Sequence, residues 1–336
     1  MILVTGGLGF IGSNFILNWF KKHEENVLNI DNITYAADFE NLRSISNNKN
    51  YYFLEGNIND ANFLTEAFLN YKPRAIFNFA AESHVDNSIE NPSLFIETNI
   101  SGTYTLLSEA TSYWLELSGK EKNNFRFIHV STDEVYGSLE KNSFPCTENS
   151  PYKPNSPYAA SKAASDHLVR AWHVTYNLPT ITSNSSNNFG PRQNDEKLIP
   201  LVIKKCLKNE NIPIYGNGEN IRDWIFVDEN CNYLESLLEV GKVGENYNIS
   251  ADNEITNNNL VRKICRKLDT IYPKKLGLYE KLIQYVDDRP GHDQRYAVSS
   301  KKIKSMLPNI SNGNFENNLD YTIRWYIEKF NKEKLL

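Results

Sequence analysis

The sequence predicts an α/β protein whose larger part is a doubly wound parallel sheet, with a smaller, interleaved C-terminal lobe. Short, continuously apolar runs alternate with helical patterns through the first half of the chain, which is typical of a parallel sheet covered by helices on both faces. A glycine-rich loop at 6–12 joins the first apolar run to the first helical pattern, as in a Rossmann fold. After about residue 186 the alternation loosens into a segment rich in proline, glycine and asparagine at 212–220, which indicates a separate lobe.

Each element follows from its local pattern. The predicted strands are the apolar runs at 2–5, 27–31, 51–55, 75–79, 125–131, 180–183 and 223–227. The predicted helices are the segments at 10–22, 60–70, 93–118, 157–176, 196–208, 254–271 and 314–332. We therefore predict a Rossmann domain over 1–185, completed by a return strand near 223–228, and a substrate-binding lobe over 186–336.

Composition excludes several classes of function. The chain has 336 residues, of which 40% are hydrophobic, enough for one large domain and a smaller lobe. A net charge of −5 gives no reason to expect nucleic acid as a partner. The four cysteines, Cys146, Cys206, Cys231 and Cys265, form no CxxC pair, so we expect no metal and reduced thiols in a cytoplasm. Neither an export signal nor a membrane-spanning run is visible, and we expect no membrane partner.

The glycine loop predicts a dinucleotide site. Gly6 permits the tight turn after the strand, Gly9 lets the backbone approach a pyrophosphate, and Gly12 lets the helix pack closely. Asp31 ends the second predicted strand, where a carboxylate accepts from both ribose hydroxyls and repels a 2′-phosphate. Asn32 follows it and supplies no cation for that phosphate. The loop therefore favours NAD over NADP, the alternative being a plain glycine turn beside a surface aspartate.

A tyrosine and a lysine lie one turn apart on the helix predicted to begin at Pro157, a residue suited to the first helical turn. Tyr158 and Lys162 then share one helical face. A nearby ammonium and a positive nicotinamide would lower the pKa of the tyrosine toward working pH, giving a base that takes a proton from a sugar hydroxyl. Taken alone, the YxxxK spacing also fits an ordinary amphipathic helix.

The strand predicted at 125–131 ends in Thr132, Asp133 and Glu134. An acid and a base close together are what β-elimination of water requires, because one takes the carbon-bound proton and the other protonates the leaving hydroxyl. Prior oxidation to a ketone makes the neighbouring C–H acidic, which links this pair to the tyrosine and lysine. The alternative is a solvated loop that carries two charges.

These motifs belong to longer segments that carry a family resemblance. The segments are TGGLGFIGSN (5–14), DNITYA (31–36), AAESHVD (80–86), STDEVYG (131–137), SPYAASKAASDHLVRA (156–171), SNNFGP (186–191), EKLIP (196–200), PIYGNGENIRDW (213–224) and DRPGHDQRYA (288–297). The chain thereby resembles, nearly end to end, the nucleotide-sugar 4,6-dehydratases of the extended short-chain dehydrogenase/reductase family. The Thr-Asp-Glu triplet and the RPGHD segment are the most specific of these matches.

The resemblance implies dehydration of a nucleotide-activated glucose, with thymine or uracil as the base. Thr132 would orient the sugar 4-hydroxyl, Asp133 would protonate the leaving 6-hydroxyl and Glu134 would take the proton at C5. NAD would stay tightly bound, in the oxidised form at rest, because the hydride taken from C4 must return to C6 of the same sugar. The implied cofactor residues are Gly6, Gly9, Phe10, Ile11, Gly12, Asp31, Asn32, Thr34, Asn57, Ile58, Ala80, Ala81, Ser83, Thr98, Tyr158, Lys162 and Asn187.

The resemblance also implies a set of substrate-binding residues. They are Ser83, Thr132, Asp133, Glu134, Asn187, Glu196, Lys197, Leu198, Pro213, Tyr215, Arg222, Asn257, Arg289 and His292. Arg222 and Arg289 could grip a pyrophosphate with paired donors, and Tyr215 offers a flat face to a base. His84 suits either a substrate contact or a structural hydrogen bond.

The chain departs from the family pattern at four positions: Asn87 replaces Arg, Asn57 replaces Asp, Phe189 replaces Tyr and Asn230 replaces His. The departures concern nucleotide preference and leave the redox and elimination residues intact. Rival activities therefore include a UDP-glucose 4,6-dehydratase, a GDP-mannose 4,6-dehydratase, a UDP-glucose 4-epimerase and a UDP-glucuronate decarboxylase. A redox-sensing or scaffold relative without activity is the non-enzyme alternative.

A homodimer is expected from the segments near 99–118 and 157–176. They carry apolar residues on more than one face, and one face suffices to cover a sheet. The residues that suggest a second apolar face are Tyr104, Leu106, Leu107, Tyr113 and Trp114. The family resemblance implies that these two helices pair with their copies across a two-fold axis.

Overall fold

The computed structural model describes residues 1–308, 310 and 312–333. The strands are β1 Ile2–Thr5, β2 Val27–Asp31, β3 Tyr51–Glu55, β4 Ala75–Asn78, β5 Arg126–Thr132, β6 Thr180–Ser185, β7 Asn187–Phe189, β8 Ile212–Tyr215, β9 Ile221–Phe226, β10 Asn246–Ile249, β11 Glu254–Thr256 and β12 Ile283–Val286. The helices are α1 Phe10–Lys22, α2 Ala61–Tyr71, α3 Val85–Glu90, α4 Pro92–Phe95, α5 Thr103–Glu116, α6 Gly119–Asn124, α7 Pro157–Tyr176, α8 Leu198–Leu207, α9 Val227–Val240, α10 Asn257–Ile271, α11 Lys301–Met306 and α12 Phe315–Lys332.

Seven strands form one parallel sheet in the order β10-β6-β5-β4-β1-β2-β3. The strand order reverses at β1 and β4, so the predicted doubly wound Rossmann sheet is confirmed. Strands such as β1 and β4 are buried along their whole length, as sheets covered on both faces require. Ligands of such sheets bind outside the carboxyl ends of the strands, beside the point of reversal.

The prediction that a return strand near 223–228 completes the large sheet is wrong. Strand β9 lies in a three-stranded sheet between β7 and β11, and β10 takes the edge position beside β6. The buried Asp223 carboxylate accepts from Ser186 Oγ at 2.9 Å and from Ala251 N at 3.0 Å, which ties β9 across the end of the large sheet. The sequence of β10, Asn-Tyr-Asn-Ile, is too short and too polar to stand out as an apolar run.

The smaller lobe has its own apolar core. Helices α8, α10 and α12 pack together through buried side chains that include Ile203, Ile264 and Ile323. Strands β8 and β12 form a two-stranded parallel ribbon in the same lobe. Because α9 packs on α1 of the large domain and β10 returns to the large sheet, the two parts interleave as expected.

Local signals set both ends of α7. Ser156 caps α7 by accepting from Ala159 N at 3.1 Å, Pro157 occupies its first turn, and the left-handed Asn177 ends it.

The predicted helix 93–118 is interrupted by a π-helical segment, Ile96–Gly102. There the buried Asn99 side chain exchanges hydrogen bonds with the backbone of Glu82 at 2.8 and 3.0 Å. Such π-helical turns frequently mark functional sites.

The first residues of the predicted helix 254–271 are strand β11, and α10 begins only after Thr256, whose side chain accepts from Asn259 N. Among the described residues, no helix combines the length and the apolarity needed to cross a membrane. The same part of the chain holds no group of three or more His, Cys, Asp or Glu side chains that could bind a metal ion.

Candidate active site

The glycine loop turns tightly between β1 and α1. Gly6 has a φ of +69°, and a Cβ there would approach Ala80 N to 2.8 Å. A Cβ on Gly12 would collide with the carbonyl oxygen of Gly6. The loop therefore leaves the start of α1 open, where free backbone amides and the helix dipole favour a phosphate.

A cleft of about 240 Å³ lies over the carboxyl ends of the large sheet. All but one of the predicted cofactor residues line it, and the exception is Asn187, which lies on β7. The cleft is also lined by residues that the sequence did not single out, among them Ala36, Ala37, Glu82, Gln193 and Asn194. Ala36 and Glu82 lie inside the quoted segments DNITYA and AAESHVD, and Ala37 directly follows the first of them. Gln193 and Asn194 lie outside the quoted segments and carried no local signal.

Asp31 is buried at the end of β2, at the far side of this cleft. Its carboxylate accepts from Leu8 N at 2.9 Å and from Ile33 N at 3.0 Å, and burial raises its pKa. Among the described lining residues, the only cations are Lys162 and Lys197, and neither belongs to the segment that follows Asp31. The surroundings of Asp31 thus suit ribose hydroxyls and offer no counter-charge to a 2′-phosphate.

Tyr158 and Lys162 line the cleft from the first turns of α7. Lys162 Nζ donates to the carbonyl oxygen of Val130 at 2.8 Å, and burial lowers the pKa of Lys162 to about 8. Burial, then the charge of Glu134, raises the pKa of Tyr158, and a hydrogen bond with Thr132 opposes the rise. The expected lowering of the tyrosine pKa is therefore not produced by the protein alone, because burial and nearby carboxylates outweigh the hydrogen bond with Thr132.

Asp133 and Glu134 begin a short 3₁₀ turn directly after β5. The Asp133 side chain is buried, and its Oδ2 has no hydrogen-bond partner among the described residues. Burial, followed by the charges of Glu134 and Asp223, raises the pKa of Asp133 well above its usual range. Burial also raises the pKa of Glu134, but the cations Arg222, Arg289 and Lys197 oppose that rise. The arrangement therefore favours the protonated form of Asp133 more strongly than that of Glu134.

The charges of Arg222, Arg289 and Lys197 act on Glu134. Arg222 donates to the carbonyl oxygen of Asp293 at 2.9 Å, and its guanidinium lies 4.2 Å from the centre of the Tyr296 ring. Arg289 Nη1 lies 3.0 Å from Asp86 Oδ1. Lys197 Nζ donates to the carbonyl oxygen of Ser83 at 2.9 Å. Paired guanidinium donors and an ammonium are suited to a diphosphate.

The other predicted substrate residues are spread around this region. Tyr215, at the end of β8, is exposed and donates to Asp86 Oδ2 at 3.4 Å. Glu196 lines the cleft, and its Oε1 accepts from Tyr35 Oη at 3.4 Å. His292 Nδ1 lies 2.6 Å from Asp288 Oδ1. Those that do not line the cofactor cleft are Asn187, Leu198, Pro213, Tyr215, Arg222, Asn257, Arg289 and His292, together with Thr132, Asp133 and Glu134.

His84 has a structural contact: it caps α3 by accepting from Asn87 N at 3.2 Å. The departures Phe189 and Asn230 are also buried in packing roles, because Phe189 lies in the core of the smaller lobe and Asn230 accepts from Ser185 Oγ at 2.9 Å. Asn57 lines the cofactor cleft, so it remains able to contact a ligand.

Tyr296 and Asp293 are site residues that the sequence analysis missed. Tyr296 Oη donates to Glu134 Oε2 at 3.4 Å and makes a shorter hydrogen bond to Asp293 Oδ2. Asn155 Nδ2 donates to Asp293 Oδ1 at 2.6 Å, which fixes this carboxylate. Both residues lie in the segment DRPGHDQRYA, so the signal was present, but a contact over 162 positions has no local signature.

Known proteins resemble this chain over nearly its whole length. The dTDP-glucose 4,6-dehydratase of Escherichia coli is 49% identical, covering 99% of this chain and 94% of the relative. The dTDP-glucose 4,6-dehydratase of Haemophilus influenzae is 48% identical, with 97% of each chain covered. A family model described as GDP-mannose 4,6 dehydratase matches residues 3–319. The chain belongs to the dTDP-glucose 4,6-dehydratase family.

Solved structures agree with membership of the dTDP-glucose 4,6-dehydratase family. DesIV, the dTDP-glucose 4,6-dehydratase of Streptomyces venezuelae solved with NAD bound, superposes with a TM-score of 0.89 at 39% identity, covering 100% of this chain and 99% of that one. The UDP-glucose 4-epimerase of Thermotoga maritima has a TM-score of 0.84 at 26% identity, covering 98% and 99%. The family predicted from the sequence segments is therefore confirmed, and the epimerases are its more distant structural neighbours.

Proposed function

We propose that this chain converts dTDP-glucose to dTDP-4-keto-6-deoxyglucose by oxidation at C4, loss of water across C5 and C6, and return of the hydride to C6. The observation that carries the proposal is the position of Asp133 and Glu134. They are a buried acid and a part-buried base at the end of β5, close enough to Tyr158 to influence the pKa of the tyrosine. A site for simple oxidation requires the tyrosine but has no use for the carboxylate pair.

The residues of the cleft fit NAD. Gly6, Gly9 and Gly12 leave room for a pyrophosphate at the start of α1, Asp31 would hold the adenosine ribose, and Lys162 would hold the nicotinamide ribose. NAD, when bound, supplies a hydride acceptor that gives the hydride back to the same sugar. We propose that the remaining cleft-lining members of the predicted cofactor set contact this cofactor too, with Asn187 approaching it from β7.

Tyr158 takes the proton of the sugar 4-hydroxyl, and Thr132 orients that hydroxyl through its own side chain. Because burial raises the pKa of the tyrosine, a positive charge has to compensate before Tyr158 can act as a base. The Lys162 ammonium, which donates to the carbonyl oxygen of Val130 on β5, supplies one such charge. A positive nicotinamide supplies the other when the cofactor is bound.

Glu134 removes the proton from C5, and Asp133 gives a proton to the departing 6-hydroxyl. The different surroundings of the two carboxyls support these roles. Asp133 is buried and is pushed toward its protonated form, whereas Arg222, Arg289 and Lys197 favour the ionised form of Glu134. Protonated and ionised neighbours with separate environments are the usual way in which two carboxyls divide acid and base roles.

Substrate recognition in this proposal depends on charge at the diphosphate. Arg222 and Arg289 bind its oxygens with paired donors, which requires Arg289 to exchange Asp86 for phosphate. Tyr215 offers its exposed ring to the base. The further substrate contacts we propose are Ser83, Asn187, Glu196, Lys197, Leu198, Pro213, Asn257 and His292.

Incubating the purified chain with dTDP-glucose, without added NAD, tests the proposal. We expect a 4-keto-6-deoxy sugar, detected by its absorbance in alkali, and no accumulation of reduced nicotinamide, because the hydride returns to the sugar. UDP-glucose and GDP-mannose serve as matched substrates and should react at least about tenfold more slowly, the discrimination expected for about 1.4 kcal/mol of base recognition. Stoichiometric NADH would reveal a simple dehydrogenase, and inversion at C4 without water loss would reveal an epimerase.

We also propose a homodimer through α5 and α7. Of the residues that suggested a second apolar face, Tyr104 is exposed, whereas Leu106 and Leu107 are buried against the sheet and Tyr113 and Trp114 are packed against the same core. Val174 and Tyr176 on α7 are also exposed, and together with Tyr104 on α5 they form the proposed dimer face. Tyr104 stacks edge-on with Trp172 at 5.7 Å, which joins the two helices into one apolar surface.

The dimer proposal predicts a monomer when charge is placed on this face. Tyr104→Glu with Val174→Asp should halve the mass seen by light scattering at micromolar concentration, because two buried like charges per subunit oppose association. Phe144→Asp is the matched control, since Phe144 is exposed on a loop outside both helices. A wild-type chain that runs as a monomer would contradict the proposal at once.

We propose that the protein works in the cytoplasm. Its four cysteines are free and buried, and the Sγ atoms of Cys206 and Cys265 lie 3.9 Å apart without being bonded. Neighbouring free thiols are usual in a reducing compartment.

A further inference from the structure

Asp166 is a buried carboxylate that the reaction described above does not use. It lies one helical turn after Lys162 on α7. Its Oδ2 accepts from Ser131 Oγ at 2.9 Å, from Tyr152 Oη at 3.0 Å and from Asn184 Nδ2 at 2.9 Å. Three donors converging on one oxygen fit a carboxylate, which has lone pairs to spare and no proton of its own to place.

The other oxygen of Asp166 faces a neutral histidine. Oδ1 lies 3.4 Å from His129 Nε2, and the amide Nδ2 of Asn78 lies 3.2 Å from His129 Nδ1. An amide donor makes Nδ1 the acceptor, so the single imidazole proton is on Nε2, toward Asp166. Burial lowers the pKa of His129 to about 4, and the histidine therefore leaves the negative charge of Asp166 uncompensated at neutral pH.

Asp166 and Lys162 together hold three consecutive residues of β5. Asp166 faces His129 and accepts from Ser131, and Lys162 donates to the carbonyl oxygen of Val130 between them. The next residue along the strand is Thr132, followed by the acid and the base. One helical turn of α7 thus fixes the strand end from which the elimination residues emerge.

We propose that Asp166 is a positioning residue for the redox pair: its buried carboxylate is the counter-charge of the Lys162 ammonium and fixes the strand end that carries Thr132. This inference rests on the proposed function, because that function gives Lys162 and Tyr158 their roles. Asp166 does not contact the reacting atoms and acts through Lys162 and Ser131.

The groups around Asp166 make Lys162 the cation that depends on it. Neutral His129 lies beside its carboxylate from β5, and Tyr152 donates to it from a loop. Its charge also acts on Tyr136, Tyr158 and Lys162. Burial lowers the pKa of Lys162, and the charge of Asp166 opposes that fall. Without the carboxylate the pKa of Lys162 drops below about 8, so its ammonium is lost at a lower pH.

The expected effect of Asp166→Asn is a pH shift as well as a loss of rate. The alkaline limb of the kcat profile should move down by about one pH unit, at the lower end of the range for a nearby opposite charge. Asp166→Glu keeps the charge and should restore the position of the limb. Tyr152→Phe is the matched control: it removes one donor to Asp166 and keeps the carboxylate, so the limb should stay where it is in the wild type.

A second readout does not depend on the substrate. The dissociation constant of NAD⁺ is measured by tryptophan fluorescence at a series of pH values. Its pH profile should change slope at the pH where Lys162 loses its proton, and this change of slope is the NAD⁺ break. Asp166→Asn should move the break down by the same amount. If dTDP-glucose is not converted by the wild type but the break moves, the proposed function fails and the role of Asp166 stands. If Asp166→Asn lowers only the melting temperature, with the kcat limb and the NAD⁺ break both unmoved, or if Tyr152→Phe moves them equally, Asp166 is a structural residue and the inference is overturned.

Discussion

Tyr158→Phe is expected to lower the rate of product formation from dTDP-glucose by about 10²–10⁴-fold, the usual contribution of a general acid or base. Removing one hydroxyl leaves the 4-hydroxyl of the sugar without its proton acceptor, and this step precedes water loss. Reduced nicotinamide and 4-keto-6-deoxy sugar should therefore both be missing in a single turnover. The measurement is rapid mixing of the NAD-loaded variant with dTDP-glucose, followed by absorbance in the reduced-nicotinamide band.

Tyr136→Phe is the control for this experiment. Tyr136 is another buried tyrosine, whose hydroxyl donates to Asn248 Oδ1 at 2.9 Å and lies outside the proposed chemistry. A phenylalanine there should cost stability and leave the chemical step in place. Product formation by Tyr158→Phe at the Tyr136→Phe rate would remove Tyr158 from the mechanism.

Asp133→Asn combined with Glu134→Gln is expected to separate oxidation from elimination. Tyr158 and Lys162 are unchanged in this variant, so oxidation at C4 should proceed, whereas water loss should slow by about 10²–10⁴-fold. Reduced nicotinamide should then appear on the enzyme and persist, with little 4-keto-6-deoxy product released. Removing the charge of Glu134, which raises the pKa of Tyr158, should also help the tyrosine to act as a base, and this favours the first step further.

The two single variants are the internal controls. Because both groups act in one step, each should cost nearly as much as the pair, and the losses should not add. Asp133→Asn removes the proton donor and Glu134→Gln removes the acceptor, so either alone should leave the reduced cofactor on the enzyme. Near-wild-type product formation by the double variant would exclude these residues from the elimination.

Much of the fold was available from local patterns. The strand at 2–5, the glycine loop and the helix at 10–22 were predicted at the bounds observed, because buried parallel strands read as continuous apolar runs and a glycine turn has a fixed spacing. The π-helical break at Ile96–Gly102 was missed, since its cause is a pair of distant contacts: Asn99 bonds to Glu82 and Ser161. Strand β10 was missed because polar residues fill half of its four positions.

The sequence by itself determined the reaction class and the cofactor type. Residues that must be adjacent for chemistry were adjacent along the chain, as in Thr132–Asp133–Glu134, or one helical turn apart, as in Tyr158 and Lys162. Spacing of this kind follows from the covalent geometry of a strand end or a helix, so it can be read without knowing the fold.

Only the tertiary structure decided the charge state of the site. Burial holds Asp133 toward its protonated form, raises the pKa of Tyr158 and lowers that of Lys162. Arg222 and Arg289 reach Glu134 from segments far along the chain, and Asp166 reaches His129 and Ser131 across the helix–sheet interface. A pKa depends on desolvation and on charges close in space, and neither quantity is encoded in the local order of residues.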